Sequence, residues 1–152
     1  MSTLRSPTPY INVRMFISGL DEAHQVDHMM GLVVDCCGRG GDRPNGIIAR
    51  PTAGNHRWAP ADLDRIVREV SPRLRDGQRV LIHCRSGRSR STTAAAAVLL
   101  DMGLANTPDE AVRMVALGAF RDGVGETPDR RCTTSLREWW EARRQTALFP
   151  AA

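Results

Sequence analysis

One short segment of the sequence combines a thiol, a guanidinium and several backbone amides in a pattern suited to phosphate chemistry. Residues 83–91 read HCRSGRSRS, which fits H-C-x-x-G-x-x-R-S/T. A strand is predicted directly before Cys84 and a helix directly after Arg90. In such a strand–loop–helix connection, backbone N–H groups converge on an anion. Residues 84–90, here called the phosphate loop, are therefore predicted to bind a phosphoryl group.

The residue types at the ends of the phosphate loop suit a displacement reaction at phosphorus. Cys84 lies near a predicted helix N-terminus, which stabilises the thiolate, the form of the side chain that attacks. The planar guanidinium of Arg90 can hold two phosphoryl oxygens at once. Ser91 can donate to the thiolate and make it a better leaving group, while His83 can orient the loop through a hydrogen bond to the backbone. The residues expected to cradle the phosphoryl oxygens are Arg85, Ser86, Gly87, Arg88 and Ser89.

The composition is that of an ordinary globular protein. Of 152 residues, 41% are hydrophobic and 25% are charged, which argues against a disordered chain, a collagen or a coiled coil. All 21 basic residues are arginine and the net charge is +4, so the number of arginines by itself says little about function. We expect a cytoplasmic protein with reduced thiols, because the sequence offers no membrane span, no signal-peptide core and no C-x-x-C pair.

Strands alternate with helices along the sequence, which predicts an α/β domain with a central, mostly parallel sheet of about four to five strands flanked by helices. The predicted strands are 11–18, 31–36, 47–50 and 79–83. The predicted helices begin at Pro60, Ser91 and Pro108, and a last one carries Leu136, Trp139 and Trp140. We expect a single domain over residues 1–152, with short flexible ends at about 1–9 and 146–152.

Residues 83–91 and their flanking elements resemble the cysteine-based protein tyrosine phosphatases, and more narrowly the small dual-specificity phosphatases. The resemblance covers roughly residues 11–140, but its specific part is the phosphate loop. It implies the fold of that family and the hydrolysis of phosphate monoesters through a cysteinyl-phosphate on Cys84, without a metal or another cofactor. The expected partner is a phosphorylated protein, carrying phosphotyrosine, phosphoserine or phosphothreonine, or another phosphate monoester.

Other functions stay open on the same loop. A rhodanese-type sulfurtransferase also opens its loop with C-R-S-G, but it usually places the next Arg where this sequence has Ser89. A phosphate-binding pseudo-phosphatase with little turnover would need the same binding residues. Arg85 and Arg88 make the loop doubly basic, as in phosphoinositide phosphatases. An RNA 5′-phosphatase is compatible with the positive charge, although nucleic acid is not the expected partner.

The general acid is where the sequence departs from the family pattern. These phosphatases protonate the leaving oxygen with an Asp in a loop about 27 to 32 residues before the Cys. Here that segment, residues 52–57, reads TAGNHR and contains no carboxylate. We predict that His56 supplies the proton, because an imidazolium is a competent acid near neutral pH. The other candidates for the acid are Asp35, Asp42, Asp62 and Asp64.

Two further interpretations concern the surroundings of the nucleophile. Cys36 and Cys37 end a predicted strand, and the loop ends of parallel strands meet at one edge of a sheet. Either thiol could therefore approach Cys84 and form a disulfide under oxidation, the alternative being two buried, inert thiols. Glu126 or Asp129 is a candidate for the rim of the site.

Overall fold

A computed structural model of the chain describes residues 14–86, 89–119 and 128–148. Within these ranges the chain forms four strands: β1 Met15–Ser18, β2 Leu32–Asp35, β3 Gly46–Ile48 and β4 Val80–His83. The same ranges contain five α-helices: α1 Leu20–Val26, α2 Pro60–Arg75, α3 Arg90–Asp101, α4 Pro108–Ala119 and α5 Arg130–Leu148. A short 3₁₀ turn, Asp27–Met29, follows α1.

The four strands form one parallel sheet in the order β1-β4-β2-β3. Because β4 lies inside the sheet, His83 at its end pairs with Ser18 of β1 on one side and Asp35 of β2 on the other. All four residues of β4 are buried. The predicted parallel α/β architecture is therefore confirmed, and the sheet delivers the phosphate loop at its carboxyl edge.

Side chains of the sheet alternate between two apolar layers. Val80 and Ile82 of β4 join the large core that α2, α3, α4 and α5 cover, whereas Leu81 points into a smaller cluster with Ala23 of α1. The alternation follows from the two-residue period of a strand. A parallel sheet buried on both faces needs apolar residues at successive positions, which is the pattern that β4 shows.

The α3 helix anchors the far end of the phosphate loop in the core. Every residue from Ser91 to Leu100 is buried. The run Ala94–Ala97 has small side chains, so neighbouring helices can approach α3 closely. Because the helix is held on all sides, its first residues, Arg90 and Ser91, start from a fixed backbone.

The structure differs from the sequence-based boundaries at several elements. The helix α1 was not predicted, since it has only seven residues and its apolar face is short. The strand β3 covers residues 46–48 instead of 47–50, and α5 continues through Leu148. Residues 11–13 of the first predicted strand lie outside the described residues. Within the described part of the chain, no helix is long and apolar enough to cross a membrane.

Candidate active site

The carboxyl end of β4 opens into a cavity of about 150 Å³. Its lining combines three loops that are distant in sequence: the phosphate loop, the loop before α2 and the start of α5. The lining residues are His56, Cys84, Ser86, Ser89, Arg90 and Asp129. The cavity thus brings together the predicted nucleophile, guanidinium and acid. Gly87 and Arg88, which were also predicted to cradle the phosphoryl group, lie outside the described residues.

Cys84 is nearly inaccessible, with 2% of its surface exposed. Its Sγ atom lies 3.2 Å from the Oγ atom of Ser91, a buried residue in the first turn of α3. A hydroxyl that donates to a thiolate stabilises the charged form of the sulfur. The arrangement can therefore support both the attacking thiolate and its departure from phosphorus.

The first helix, α1, supports the phosphate loop from the opposite side. The backbone N–H of Leu20 donates to the carbonyl of Arg85 at 3.1 Å. A Cβ atom on Gly19 would lie 3.0 Å from that same carbonyl oxygen, so a larger residue there would crowd the loop. The side chains of Arg85 and Ser86 are exposed, and Ser86 lines the cavity. The loop is consequently fixed by its backbone while its first side chains face solvent.

The other cysteines differ from Cys84 in their surroundings. Burial raises the pKa of the Cys36 thiol well above its ordinary value, and burial likewise raises the pKa of Cys37. The pKa of Cys132 is raised to about 11, again mainly by burial. Charge on Cys84 raises the pKa of Cys36 and Cys132 further. These three side chains stay protonated at neutral pH and are poor nucleophiles.

His83, which directly precedes Cys84, is fully buried. Its Nε2 atom lies 3.2 Å from Nη1 of Arg43 and 3.9 Å from Oδ1 of Asp35. Burial lowers the pKa of the imidazole, and the nearby Asp35 carboxylate only partly opposes this effect. The ring is therefore neutral at neutral pH and can orient the phosphate loop without adding a charge.

His56 lies across the cavity in an unusual backbone conformation. Gly54, Asn55 and His56 have φ angles of 83°, 50° and 60°, so three successive residues occupy the left-handed region. For the two residues with side chains this costs on the order of 1–3 kcal/mol each. Such strain persists only where surrounding contacts impose it.

The contacts that hold this loop come from α5. The Cys132 thiol donates to the backbone carbonyl of His56 at 3.2 Å, and the Trp58 N–H donates to Oγ of Ser135 at 3.1 Å. Within the loop, the Arg57 N–H donates to the Gly54 carbonyl at 3.0 Å. The first turns of α5 thereby fix the loop on both sides of the His56 side chain.

Asp129 caps the N-terminus of α5 and also faces the cavity. Its carboxylate accepts from the Arg131 N–H at 2.8 Å and from the Arg131 guanidinium at 3.0 and 2.8 Å. Its own N–H donates to Oγ of Ser89 in the phosphate loop at 2.9 Å. The hydrogen bonds and the charge of Arg131 lower the pKa of Asp129 to about 2. Asp129 is therefore an anion at the cavity and cannot donate a proton near neutral pH.

Comparison with solved structures identifies the fold. Human DUSP28 has a TM-score of 0.72 and 20% identity, over 93% of this chain and 95% of that chain. The Yvh1 phosphatase domain from Chaetomium thermophilum has a TM-score of 0.66 and 20% identity, over 93% and 97% of the two chains. PTPMT1 in complex with PI(5)P has a TM-score of 0.71 and 17% identity, over 90% and 96%. The chain has the dual-specificity phosphatase fold.

The resemblance inferred from residues 83–91 is thus confirmed at the level of the fold. No protein-family model matches the sequence, and no curated protein matches it either. The dual-specificity phosphatase fold is shared at an identity where most side chains differ. The likeness therefore describes the fold and not the chemistry of the site.

None of the four carboxylates predicted as alternative acids lines the cavity that contains Cys84. They are Asp35, Asp42, Asp62 and Asp64. Asp35 accepts N–H groups of Cys37, Gly38 and Gly40, at 3.0, 2.8 and 2.8 Å. Burial favours its neutral form, but these hydrogen bonds outweigh burial and lower the pKa of Asp35. It is a buried carboxylate that organises the loop after β2.

The other three carboxylates have structural partners or another location. Asp62 accepts the N–H groups of Thr52 and Ala59, both at 2.9 Å, and so fastens the loop to the start of α2. Asp64 accepts the indole N–H of Trp139 at 2.9 Å. Asp42 lines a separate cavity beside β3. Among the candidates named from the sequence, His56 is the one that reaches the nucleophile's cavity.

One group of described side chains comes close enough to be tested as a metal site. The ligand atoms of Asp35, Cys37 and His83 lie within 4.8 Å of one another. However, the lone pair of His83 Nε2 faces the Arg43 guanidinium, and the Asp35 oxygens already accept several N–H groups. A cation at this point would meet the positive charge of Arg43. These residues fit a polar network better than a metal centre.

Sequence reasoning missed Arg43, Cys132 and Ser135, all of which contact the functional loops. Arg43 lies in a turn-rich segment and is one of many arginines, so no sequence pattern distinguishes it from the others. Cys132 and Ser135 carry no motif, since their importance depends on α5 packing against the His56 loop. Glu126, which was considered for the rim, lies outside the described residues, while Asp129 lies at the rim.

Proposed function

We propose that the protein is a phosphatase that hydrolyses phosphate monoesters through a cysteinyl-phosphate on Cys84. The observation that carries this proposal is the hydrogen-bonded pair of Cys84 and Ser91, because Cys84 and Arg90 line the same cavity. The dual-specificity phosphatase fold supports the same reading, because it places a strand, an anion-binding loop and a helix in sequence.

The first step is the transfer of the phosphoryl group to sulfur. The Cys84 thiolate attacks phosphorus, an S–P bond forms, and the P–O bond to the substrate breaks. Arg90 and the backbone N–H groups of the phosphate loop bind the three equatorial oxygens while charge spreads over them. The leaving oxygen takes its proton from the His56 imidazolium, which faces the nucleophile across the cavity.

The second step is hydrolysis of the cysteinyl-phosphate. Water attacks phosphorus and transfers a proton to His56, now neutral, while the S–P bond breaks. The Ser91 hydroxyl donates to the departing thiolate, which makes sulfur a better leaving group. Inorganic phosphate leaves, and the thiolate and imidazolium of the starting state are restored.

His56 is assigned the acid role because of its position. It is the candidate acid that lines the same cavity as Cys84. Asp129, the carboxylate that shares the cavity, is ionised near neutral pH and pairs with Arg131, so it does not supply the proton. A hydrogen bond from α5 holds the backbone of the strained loop that carries His56. The family's usual Asp is thus replaced by a histidine that a carboxylate accompanies.

The proposed substrates are phosphorylated protein side chains. A second substrate class is favoured by one observation: Arg85 is exposed in the phosphate loop, and Arg39 and Arg50 are exposed on the loops at the same edge of the sheet. Excess cation there suits a substrate with more than one phosphate, such as a phosphoinositide. PTPMT1, which shares the fold, was solved in complex with PI(5)P.

The proposal is tested by hydrolysis of an activated aryl phosphate between about pH 5 and 8, with the wild type beside Cys84→Ser. Cys37→Ala is the matched control, because Cys37 is a buried thiol at the end of β2 that does not line the cavity. We expect activity in the wild type and the control and none in Cys84→Ser. An inactive wild type that binds vanadate tightly would instead identify a phosphate-binding pseudo-phosphatase and overturn the proposal.

A further inference from the structure

We propose that Arg43 is a positioning residue for the nucleophile and acts by fixing the tautomer of His83. Arg43 lies between β2 and β3, far from the phosphate loop in sequence, yet only 7% of its side chain is exposed. Its Nη1 atom is 3.2 Å from Nε2 of His83, the residue that precedes Cys84. The inference rests on the proposed function for its catalytic consequence, but its structural part can be tested separately.

The chemistry of the two side chains determines where the proton of His83 lies. A guanidinium has N–H donors and no acceptor, so Nε2 of His83 must accept the hydrogen bond from Arg43. Burial lowers the pKa of this imidazole, and the charge of Arg43 lowers it further, so the ring is neutral near pH 7. In a neutral imidazole one nitrogen carries hydrogen and the other accepts. The single proton of His83 is therefore on Nδ1.

This tautomer places a free donor beside the nucleophile. Nδ1 of His83 is buried without a hydrogen-bond partner among the residues that the structure describes, whereas Nε2 is engaged by Arg43. His83 directly precedes Cys84 in the chain, and the backbone of Cys84 favours a proton on the ring. The Nδ1–H group is therefore available to donate to the backbone at Cys84, the point where the phosphate loop starts.

Without Arg43 the opposite tautomer has an acceptor available. Oδ1 of Asp35 lies 3.9 Å from Nε2 of His83 and would attract a proton on that nitrogen. The ring would then either move its proton from Nδ1 to Nε2 or become an imidazolium beside the carboxylate. The first change removes the donor that faces Cys84, and the second adds a charge next to it. Arg43 selects against both states.

The surroundings of Arg43 hold it in this place. Its Nε donates to Oδ2 of Asp27 at 2.9 Å, and this bond lowers the pKa of Asp27, so the guanidinium is paired with an anion. Asn45 donates to the carbonyls of Asp27 and Met30, at 3.0 and 2.9 Å, and so ties the Arg43 segment to the turn after α1. A Cβ atom on Gly40 would lie 2.6 Å from Nη1 of Arg43. The space is shaped for this side chain.

The tautomer is measured directly by NMR of the protein labelled with ¹⁵N-histidine, because the nitrogen shifts of the two neutral tautomers differ. His83→Gln identifies the signals of His83 among the four histidines. We expect the wild type to show the Nδ1–H tautomer near pH 7. A proton on Nε2 of His83 in the wild type would overturn the proposal, whatever any variant does.

The consequence for the nucleophile is measured by the pH dependence of Cys84 alkylation with iodoacetamide, followed by mass spectrometry. Arg43→Met is the test variant, Arg43→Lys keeps the charge but lacks the planar fork, and Arg65→Met is the control. Arg65 is an exposed arginine of α2 that bonds to the carbonyl of Ile48. We expect Arg43→Met to lose the Nδ1–H signal of His83. Relative to the wild type, the pH midpoint of its Cys84 alkylation should be roughly one unit higher. Its kcat should be lower by roughly tenfold. Arg43→Lys is expected to lie between Arg43→Met and the wild type.

These outcomes separate the inference from the proposed function. If Arg43→Met matches Arg65→Met in tautomer, alkylation midpoint and kcat, the positioning role is contradicted. If Arg43→Met does not fold, two measurements still test the positioning role. They are the His83 tautomer in the wild type and the pH dependence of Cys84 alkylation in Arg43→Lys. An inactive wild type would overturn the phosphatase proposal. If that wild type still has the Nδ1–H tautomer and Arg43→Met shifts the alkylation midpoint of Cys84, the positioning role of Arg43 is supported.

Discussion

The Oγ atom of Ser91 lies 3.2 Å from the Sγ atom of Cys84, although the two residues are seven positions apart in sequence. Both side chains are buried, so water does not compete strongly for this hydrogen bond. The serine sits where α3 begins, and the core around α3 fixes that position. The same hydroxyl can therefore stabilise the thiolate before attack and again when it leaves phosphorus.

Replacing Ser91 by Ala is expected to slow hydrolysis of the cysteinyl-phosphate more than its formation. With an activated aryl phosphate, a fast burst of one equivalent of phenol should precede a steady rate lowered by roughly 10². Stopped-flow absorbance measures both phases. The control is Ser71→Ala, a buried serine of α2 whose hydroxyl has no partner among the described residues. A Ser91→Ala variant that loses the burst and the steady rate equally would contradict this role.

Replacing His56 by Gln is expected to affect substrates according to their leaving groups. An alkyl phosphate needs protonation of the leaving oxygen, so its kcat/KM should fall by roughly 10², whereas an aryl phosphate with an acidic phenol should change little. His28→Gln is the control, because His28 is exposed and distant from the cavity lining. Equal losses on both substrates would remove the acid role from His56.

The Asp129 carboxylate is expected to contribute to stability in a pH-dependent manner. Its pKa in the folded chain, about 2, lies below the ordinary value of an Asp, so the contribution is present above about pH 4 and is lost as pH falls toward 2. Asp129→Asn keeps an N-cap but removes the charge. The free energies of unfolding of the two proteins, measured in urea, should therefore converge as the pH is lowered from 5 to about 2. A difference that is constant over this range would mean that the charge of Asp129 does not stabilise the fold.

Mild peroxide is expected to oxidise Cys84 and to leave Cys36 and Cys37 as thiols. Burial raises the pKa of both thiols, so neither readily forms the thiolate that would attack a sulfenic acid on Cys84. Peptide mass spectrometry tests this, with Cys36→Ser and Cys37→Ser in parallel. A disulfide between Cys84 and either thiol in the wild type would contradict this expectation.

Much of the fold was predictable because local patterns determine it. The apolar run of β4 and the Pro at the start of α2 each mark an element by composition alone, and both elements are found at nearly the predicted residues. The short α1 could not be found in this way, since its seven residues gain their stability from packing on the other face of the sheet. Tertiary contact, and not propensity, determines such an element.

The candidate site was predictable where it is contiguous in sequence. The pattern of residues 83–91 is one segment, and it predicted Cys84, Arg90 and Ser91 as site residues; the structure places Cys84 and Arg90 at one cavity and Ser91 beside Cys84. The partners that hold this segment come from elsewhere: Arg43 approaches through the β2–β3 loop, and Cys132 approaches through α5. No sequence motif predicts these two contacts, because they depend on how the sheet and the helices pack.

The most direct test of the account is to trap the covalent intermediate. The wild-type protein is mixed with an aryl phosphate, quenched within milliseconds and digested, and the peptides that contain each cysteine are analysed by mass spectrometry. The account predicts one phosphorylated peptide, with the phosphoryl group on Cys84, and a larger amount of it in Ser91→Ala. Turnover of the substrate without any phosphorylated Cys84, or with the phosphoryl group on another residue, would contradict the cysteinyl-phosphate mechanism.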